Sequence, residues 1–188
     1  MSRWEPNARG RLEQAALELY TERGFDQTTV AEIAERAGLT ERTFFRHFAD
    51  KREVLFGGQD ALIDLVTKHI ADAPDTASPI DMVRGALQAV GDMFADRRQH
   101  ARRRQAVIDA NPGLQERELI KLASLSAAMA DGLQHRGVPQ PAAALTAETA
   151  VAVFKVAFVR WLTARRDSDL TEVIGDSLDE LKALTANT

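Results

Sequence analysis

Cysteine is absent from the 188 residues, which excludes a disulfide framework, a thiolate metal site and a thiol nucleophile, and suits a reducing cytosol. No P-loop, Gly-x-Gly-x-x-Gly run or Gly-x-Ser-x-Gly turn occurs, so nucleotide, dinucleotide and serine-hydrolase chemistry have no anchor. None of His47, His69, His100 and His135 has a glutamate three residues before it, which removes the Glu-x-x-His pairs of a di-metal carboxylate bundle. No metal or cofactor is expected, and an enzyme is disfavoured. Long hydrophobic runs are also scarce: the most apolar one, Ala150 to Trp161, is broken by Lys155 and Arg160 and falls short of a bilayer span. The chain opens with Trp4, Glu5 and Pro6 rather than a basic-then-apolar leader. A cytoplasmic protein with no membrane partner is the expectation.

Positive charge is scarce as well. The chain carries 24 Lys and Arg against 28 Asp and Glu, a net charge of −4, and residues 1 to 57 hold nine basic against ten acidic side chains. Bulk charge therefore argues against a nucleic-acid partner. Locally the balance reverses: between Leu39 and Arg52, Arg42, Arg46, Lys51 and Arg52 outnumber Glu41 and Asp50.

What is present is a chain of helical signals. Thr29 and Glu32 have capping-box spacing, and Val30, Ile33, Ala34 and Ala37 follow as one apolar stripe. Gly38 can end that helix with positive φ. Leu39 can anchor the turn, and Thr40 is a new N-cap for a helix that turns Phe44 and Phe48 inward. Glu41, Arg42, Thr43, Phe45, Arg46 and His47 lie on its other faces, groups suited to phosphates and base edges. A short helix, a glycine-containing turn and a polar-faced second helix form a helix-turn-helix pattern.

The same stretch resembles the N-terminal signature of TetR-type transcriptional regulators: Thr-Thr before the helix, Ile-Ala-x-x-Ala-Gly-Leu-Thr through the turn, and Thr-Phe-Phe-x-His-Phe-x-x-Lys after it, covering roughly residues 9 to 56. Phe45 departs from the pattern, standing where the family more often has Tyr; it keeps an apolar contact to sugar or thymine methyl and loses a hydroxyl to phosphate. The resemblance implies a dimeric DNA-binding repressor whose C-terminal helical domain senses a small molecule. A second resemblance, carried by Asn111-Pro112-Gly113-Leu114-Gln115-Glu116-Arg117 and the Arg-Thr-Phe-Phe-Arg core, is to a subgroup associated with mycofactocin regulation and acyl-CoA-like ligands. The fold class expected is all-α, with a helix-turn-helix DNA-binding domain at 1–56 and a helical effector-binding and dimerisation domain at 57–188.

Along the chain, residues 1 to 8 read as a frayed arm or as an Arg3 that reaches DNA. Ala8 to Arg23 reads as a helix stopped by Gly24. Asp50 with Glu53 predicts a further helix with Lys51 in its first turn, interrupted at Gly57-Gly58 by a hinge or by close packing. Residues 74 to 79 are the clearest break, followed by a helix over 80–96. The basic run Arg97, Arg98, His100, Arg102, Arg103, Arg104 reads as a solvated face or as cations for an anionic effector. A long helix over 114–135 has Leu119, Ile120, Leu122, Leu125, Met129 and Leu133 inward. The helix over 142–166 is apolar nearly all round and needs burial on every side, by a cavity or a second copy, and an amphipathic helix over 170–184 ends the chain.

Roles follow from position. Thr29 and Thr40 are expected at phosphates, Arg42 and Arg46 at guanine or phosphate, Thr43 at a base or methyl, Phe45 and His47 at the backbone, with a satisfied structural role the alternative for His47, and Lys51 at a phosphate; Glu41 is counted with them on the DNA-facing side. Met82, Leu87, Phe94, Met129, Phe154 and Phe158, with Arg104 near the mouth, are expected to line an effector cavity; plain core is the competing reading. The partners expected are a near-palindromic DNA operator, a second copy joined through the last two helices, and an apolar or acyl-bearing small molecule. The rival function is a helical protein-interaction module that does not bind DNA.

Overall fold

A computed structural model describes residues 7–164 and 168–186. Arg3 and the end of the helix expected to reach Arg166 lie outside the described residues. Nine α-helices and one 3-10 turn make up the regular structure among the described residues, in the order α1 (Ala8–Arg23), α2 (Val30–Arg36), α3 (Glu41–His47), the 3-10 turn Glu53–Phe56, α4 (Gln59–Ala71), α5 (Pro79–Met93), α6 (Arg98–Asp109), α7 (Pro112–His135), α8 (Gln140–Thr163) and α9 (Leu170–Ala186). The all-α architecture is the one the periodicities predict.

The chain divides into two compact units. Unit 1 holds the residues up to Gly57 together with Arg102–Glu118. Its core joins Leu12, Ala16, Leu19 and Tyr20 of α1 to Ile33, Phe44 and Phe48, and the same cluster takes in Val107, Ile108 and Leu114. Three short helices bury little apolar area alone, and the end of α6 with the start of α7 enlarges that core. Two arginines tie these later residues to the 3-10 turn. Arg104 donates to the Leu55 carbonyl at 2.7 Å and pairs with Glu118 at 3.3 Å, its guanidinium 5.0 Å from the Phe56 ring centre. Arg117 Nε lies 2.6 Å from Glu53. Burial pushes the Arg104 pKa below its ordinary value, and the Glu118 carboxylate opposes that shift.

The helix expected from the Asp50 cap is a single 3-10 turn. Asp50 accepts from the Arg52 and Glu53 amides at 2.8 and 3.2 Å, so the cap is real, but Gly57 and Gly58 end the turn before α4 begins. A Cβ on Gly57 would stand 2.8 Å from Arg9 Nη2 and Glu13 Oε1, both ends of flexible side chains, and 3.1 Å from Phe48, a tight contact that favours the packing reading of Gly57. A Cβ on Gly58 would meet open space.

Unit 2 holds Gly58–Ala101 and the chain from Leu119 onward. Helix α5 packs on α4, α8 and α9, and a Cβ on Gly91 of α5 would reach 2.8 Å from the Thr171 backbone of α9. The basic run forms α6, begun by Arg98, whose guanidinium donates to Ala164 at 2.6 Å and lies 6.0 Å from the Trp161 ring. On α7, Leu125, Met129 and Leu133 are buried as expected. Leu119 and Ile120, also expected inward, are exposed instead, because the buried stripe leaves them on the far side of the helix. Helix α8 is longer than the apolar run inside it. Its 24 residues are long and apolar enough to cross a membrane by length and composition, which corrects the expectation of a segment too short to span. Ala143, Ala147, Ala150, Phe154, Ala157 and Trp161 line its buried side in the unit-2 core, the placement of a core helix.

Candidate nucleic-acid interface

The helix-turn-helix is assembled from local hydrogen bonds. Thr29 forms the full capping box: its hydroxyl accepts from Glu32 N at 3.3 Å, and Glu32 Oε2 accepts from Thr29 N at 2.9 Å. The bonds that Thr29 N and Thr29 Oγ1 donate to Glu32 Oε2, 2.9 Å each, hold the Glu32 carboxyl below its ordinary value, with Arg23 reinforcing them. At the other end of α2, Gly38 has φ of 66°, Gly38 N bonds to Glu35 O and Leu39 N reaches back to Ala34 O at 2.8 Å. This is the left-handed termination that glycine permits. Arg11 of α1 also donates to the Ala37 carbonyl, a bracket that nothing in the local pattern announces.

Thr40 then caps α3, accepting from Thr43 N at 3.2 Å, and the two threonine hydroxyls stand 3.1 Å apart. Phe44 and Phe48 are buried with ring centres 5.5 Å apart, so α3 is locked by one face. The opposite face carries Glu41, Arg42, Phe45 and Arg46, all exposed, with Thr43 at its edge. His47 is half-buried, and its Nε2 has no hydrogen-bond partner among the described residues; the ring lies beside Phe48.

Ion pairing resolves the charge puzzle. In unit 1, Arg9 pairs with Glu13 at 3.1 Å, Arg23 with Glu32 at 2.9 Å, Arg36 with Glu22 at 2.9 Å and Glu18 at 3.5 Å, and Arg52 with Asp50 at 2.6 Å. These pairs consume much of the acidic charge counted in the sequence. Arg42 and Arg46 have no ion pair or side-chain hydrogen bond among the described residues, and they sit one turn apart on the exposed face of α3. A chain that is acidic in bulk thus presents two exposed arginines outside the ion-pair network, with Glu41 on the same face. The Arg36 pairs are invisible in the sequence because they join two helices, 14 and 18 residues apart.

Lys51 is placed differently from the expectation of a free phosphate contact. Its ammonium donates to the carbonyls of Phe25 and Thr28 at 2.9 Å each and of Asp26 at 3.4 Å, and sits 4.5 Å from the Phe25 ring centre. The Lys51 carbonyl in turn accepts from Tyr20 Oη at 2.6 Å. Burial, with Asp50 nearby, raises the Tyr20 pKa above the ordinary phenol value. Lysine and tyrosine together brace the turn that delivers α2.

Of the residues expected to hold an effector, Met82, Leu87, Met129 and Phe154 lie in the unit-2 core, with Phe94 and Phe158 packed against it. Phe94, Phe158 and Trp161 form an aromatic group with centroids 5.4 to 6.1 Å apart, and Phe154 joins it through Phe158. Arg104, expected near the mouth, belongs to unit 1, where the Leu55 carbonyl and Glu118 occupy its guanidinium.

Comparison with known proteins agrees with this geometry. Residues 13–57 match the family model of bacterial regulatory proteins of the tetR family, and residues 77–186 match the MftR C-terminal domain. The chain is 38% identical over 82 residues to the HTH-type transcriptional regulator TcmR of Streptomyces glaucescens, a match spanning 44% of this chain and only 36% of TcmR. It is 26% identical to the putative mycofactocin biosynthesis transcriptional regulator MftR of Mycobacterium tuberculosis, over 92% of this chain and 88% of that protein. Among solved structures it is similar in fold to Thermus thermophilus FadR, a TetR-family repressor in complex with lauroyl-CoA, with a TM-score of 0.55, 23% identity and 91% of each chain covered. With the helix-turn-helix matched at one end and the C-terminal domain matched over more than half its length, the chain belongs to the TetR family of transcriptional regulators, in the group whose C-terminal domain is of the MftR type.

Proposed function

We propose that this regulator is a repressor that binds a near-palindromic operator as a homodimer and is released by an apolar or acyl-bearing small molecule in the cytoplasm. The observation that carries the DNA reading is the exposed pair Arg42 and Arg46, neither held in an ion pair among the described residues, on a helix locked by Phe44 and Phe48. Helix-turn-helix modules set such a helix in the major groove, and a two-fold dimer spans half-sites about 34–36 Å apart or a multiple of it. A second copy is supported by the outer side of α8, where Leu145, Ala152, Val156 and Val159 are exposed along one stripe, with Leu184 of α9 exposed as well. Apolar surface at that spacing suits helix-to-helix packing.

For the effector, the support is the unit-2 core at Met82, Leu87, Met129 and Phe154, together with the half-buried rings of Phe94 and Phe158 at its margin. An acyl chain entering there displaces apolar contacts with apolar contacts, as the lauroyl-CoA of FadR suggests by its chemistry. Release follows if the ligand prefers a dimer whose two reading helices no longer match successive grooves. The test is binding to a duplex from the chain's own promoter region, lost in Arg46→Ala and weakened by the acyl thioester that raises the thermal midpoint most. Binding that Arg46→Ala leaves untouched would remove the reading.

A further inference from the structure

We propose that unit 1 carries a small-molecule site of its own, a cleft between the end of α1 and α6 that takes an aromatic carboxylate. The cleft has a volume of about 660 Å³, within the size range of small-molecule sites, and every residue lining it belongs to unit 1. It uses neither the exposed face of α3 nor the unit-2 core, so it stands or falls independently of the operator and effector readings above.

One wall is α6, where Ala106 and Ala110 are exposed beside the buried Val107; their short side chains leave the space open. The other wall is built on Tyr20 and Phe25, whose rings meet edge to face with centroids 5.1 Å apart. Lys51 holds both rings: its ammonium lies 4.5 Å from the Phe25 centre and its carbonyl accepts from Tyr20 Oη. A flat ligand therefore meets a wall that is already ordered, at little cost in freedom. Two polar lining side chains are turned back on their own helices, Thr21 donating to the Leu17 carbonyl and Asn111 to the Val107 carbonyl, which keeps the middle of the cleft apolar.

Charge then selects and orients the ligand. Arg102 and Arg103 line the cleft one turn before Ala106 and Val107, and Asp26 is the opposing charge in the lining. Two guanidiniums against one carboxylate leave a single positive charge in excess, which matches a carboxylate better than a phosphate dianion. Arg103 is exposed and has no ion pair or hydrogen bond among the described residues. Gly24 and Ala110, just past the C-terminal ends of α1 and α6, also border the cleft, and helix C-termini carry partial negative charge. The anionic head is thus placed at the arginines and the rings of the ligand between Ala106 and Phe25. The basic run of α6 divides accordingly: Arg98 and Arg104 are held by backbone carbonyls, whereas Arg102 and Arg103 serve the cleft.

The experiment is calorimetric titration of the full chain with 2-naphthoate and with 2-naphthamide, which keeps the rings and lacks the charge. The parent protein is expected to bind the carboxylate saturably and more tightly than the amide. Arg103→Gln should weaken the carboxylate about threefold to fivefold, the factor for a solvent-exposed ion pair, and leave the amide unchanged; a merely structural effect would move both ligands alike. Ala106→Leu fills the cleft from an exposed helical position and should remove binding of either ligand while the thermal midpoint holds; Ala110→Leu does the same from the next turn and serves if the first variant fails to fold. Equal affinity of carboxylate and amide for the parent, binding that survives both leucine substitutions, or no saturable binding to the parent would each overturn the proposal.

Discussion

The ammonium of Lys51 lies 2.9 Å from the carbonyl oxygen of Thr28, a residue 23 positions earlier whose side chain is itself buried. With the Phe25 and Asp26 carbonyls around the same nitrogen, the lysine closes the end of the α1 to α2 turn. Removing it leaves carbonyls without their charged donor, a loss of about 1–3 kcal/mol. Lys51→Met is expected to lower the thermal midpoint of the protein. The salt dependence of DNA binding should stay within error of the parent, whereas Arg46→Ala reduces the slope by about one unit. A Lys51→Met protein of unchanged stability and flattened salt slope would return the lysine to the phosphate.

Arg42 and Arg46 share a face but need not share a role. A guanidinium that pairs bidentately with guanine discriminates by about 1–3 kcal/mol, whereas one on a phosphate does not discriminate. Arg42→Ala is expected to relax sequence preference at a single operator position, read by competition between operator and point-substituted duplexes. Equal loss on operator and random DNA would assign Arg42 to the backbone.

Tyr20 is the single tyrosine of the chain, so its ionisation can be followed by absorbance near the phenolate band without interference from another phenol. Because burial raises its pKa in the folded protein, the folded state resists losing that proton. The stabilisation is complete below the ordinary phenol value of about 10 and declines as pH rises through and beyond it. The native protein should show no phenolate where free tyrosine titrates, and phenolate should appear together with loss of helical circular dichroism. Early titration of a still-folded protein would contradict the Tyr20 to Lys51 bond.

The α2 cap has the opposite pH sense. Glu32 is held below its ordinary pKa by Thr29 first and Arg23 second. Its stabilisation is therefore present above the ordinary glutamate range and is lost as pH falls through the lowered value. Glu32→Gln should flatten the acid limb of the stability profile below about pH 4.3. Separately, removing the Thr29 hydroxyl in Thr29→Ala should cost about 1 kcal/mol in chemical unfolding at neutral pH.

Gly91 tests the unit-2 packing. A methyl there meets backbone atoms of Thr171 at 2.8 Å, which cannot swing aside as a long side chain can. Gly91→Ala is expected to destabilise by about 1–3 kcal/mol, while Gly58→Ala, which meets open space, stays within about 0.5 kcal/mol. Thermal unfolding of the two variants side by side separates packing from any general intolerance of alanine.

The helices of the reading module were legible in the sequence because everything that makes them lies within a few residues. The Thr29 and Glu32 box, the Gly38 stop, the Thr40 cap and the Phe44 and Phe48 pair all act at separations of one turn or so. Where Lys51 and Arg104 point was not legible, since their partners lie 14 to 49 residues away and only packing brings them within reach. The sense of Leu119 and Ile120 was misread for a related reason: an apolar residue on a long helix faces inward or outward according to which stripe its neighbours cover.

Sequence alone determined that this chain is helical, that it carries a helix-turn-helix, and that α3 bears a polar face, because hydrophobic period, caps and glycine act locally. Tertiary structure decided which charges survive. Arginines 23, 36 and 52 are neutralised by acids that helix packing and turns bring to them, while Arg42 and Arg46 are left exposed. The reason is geometric: net charge is a sum over residues, whereas the field at any one surface depends on which of them have already found a partner in the fold.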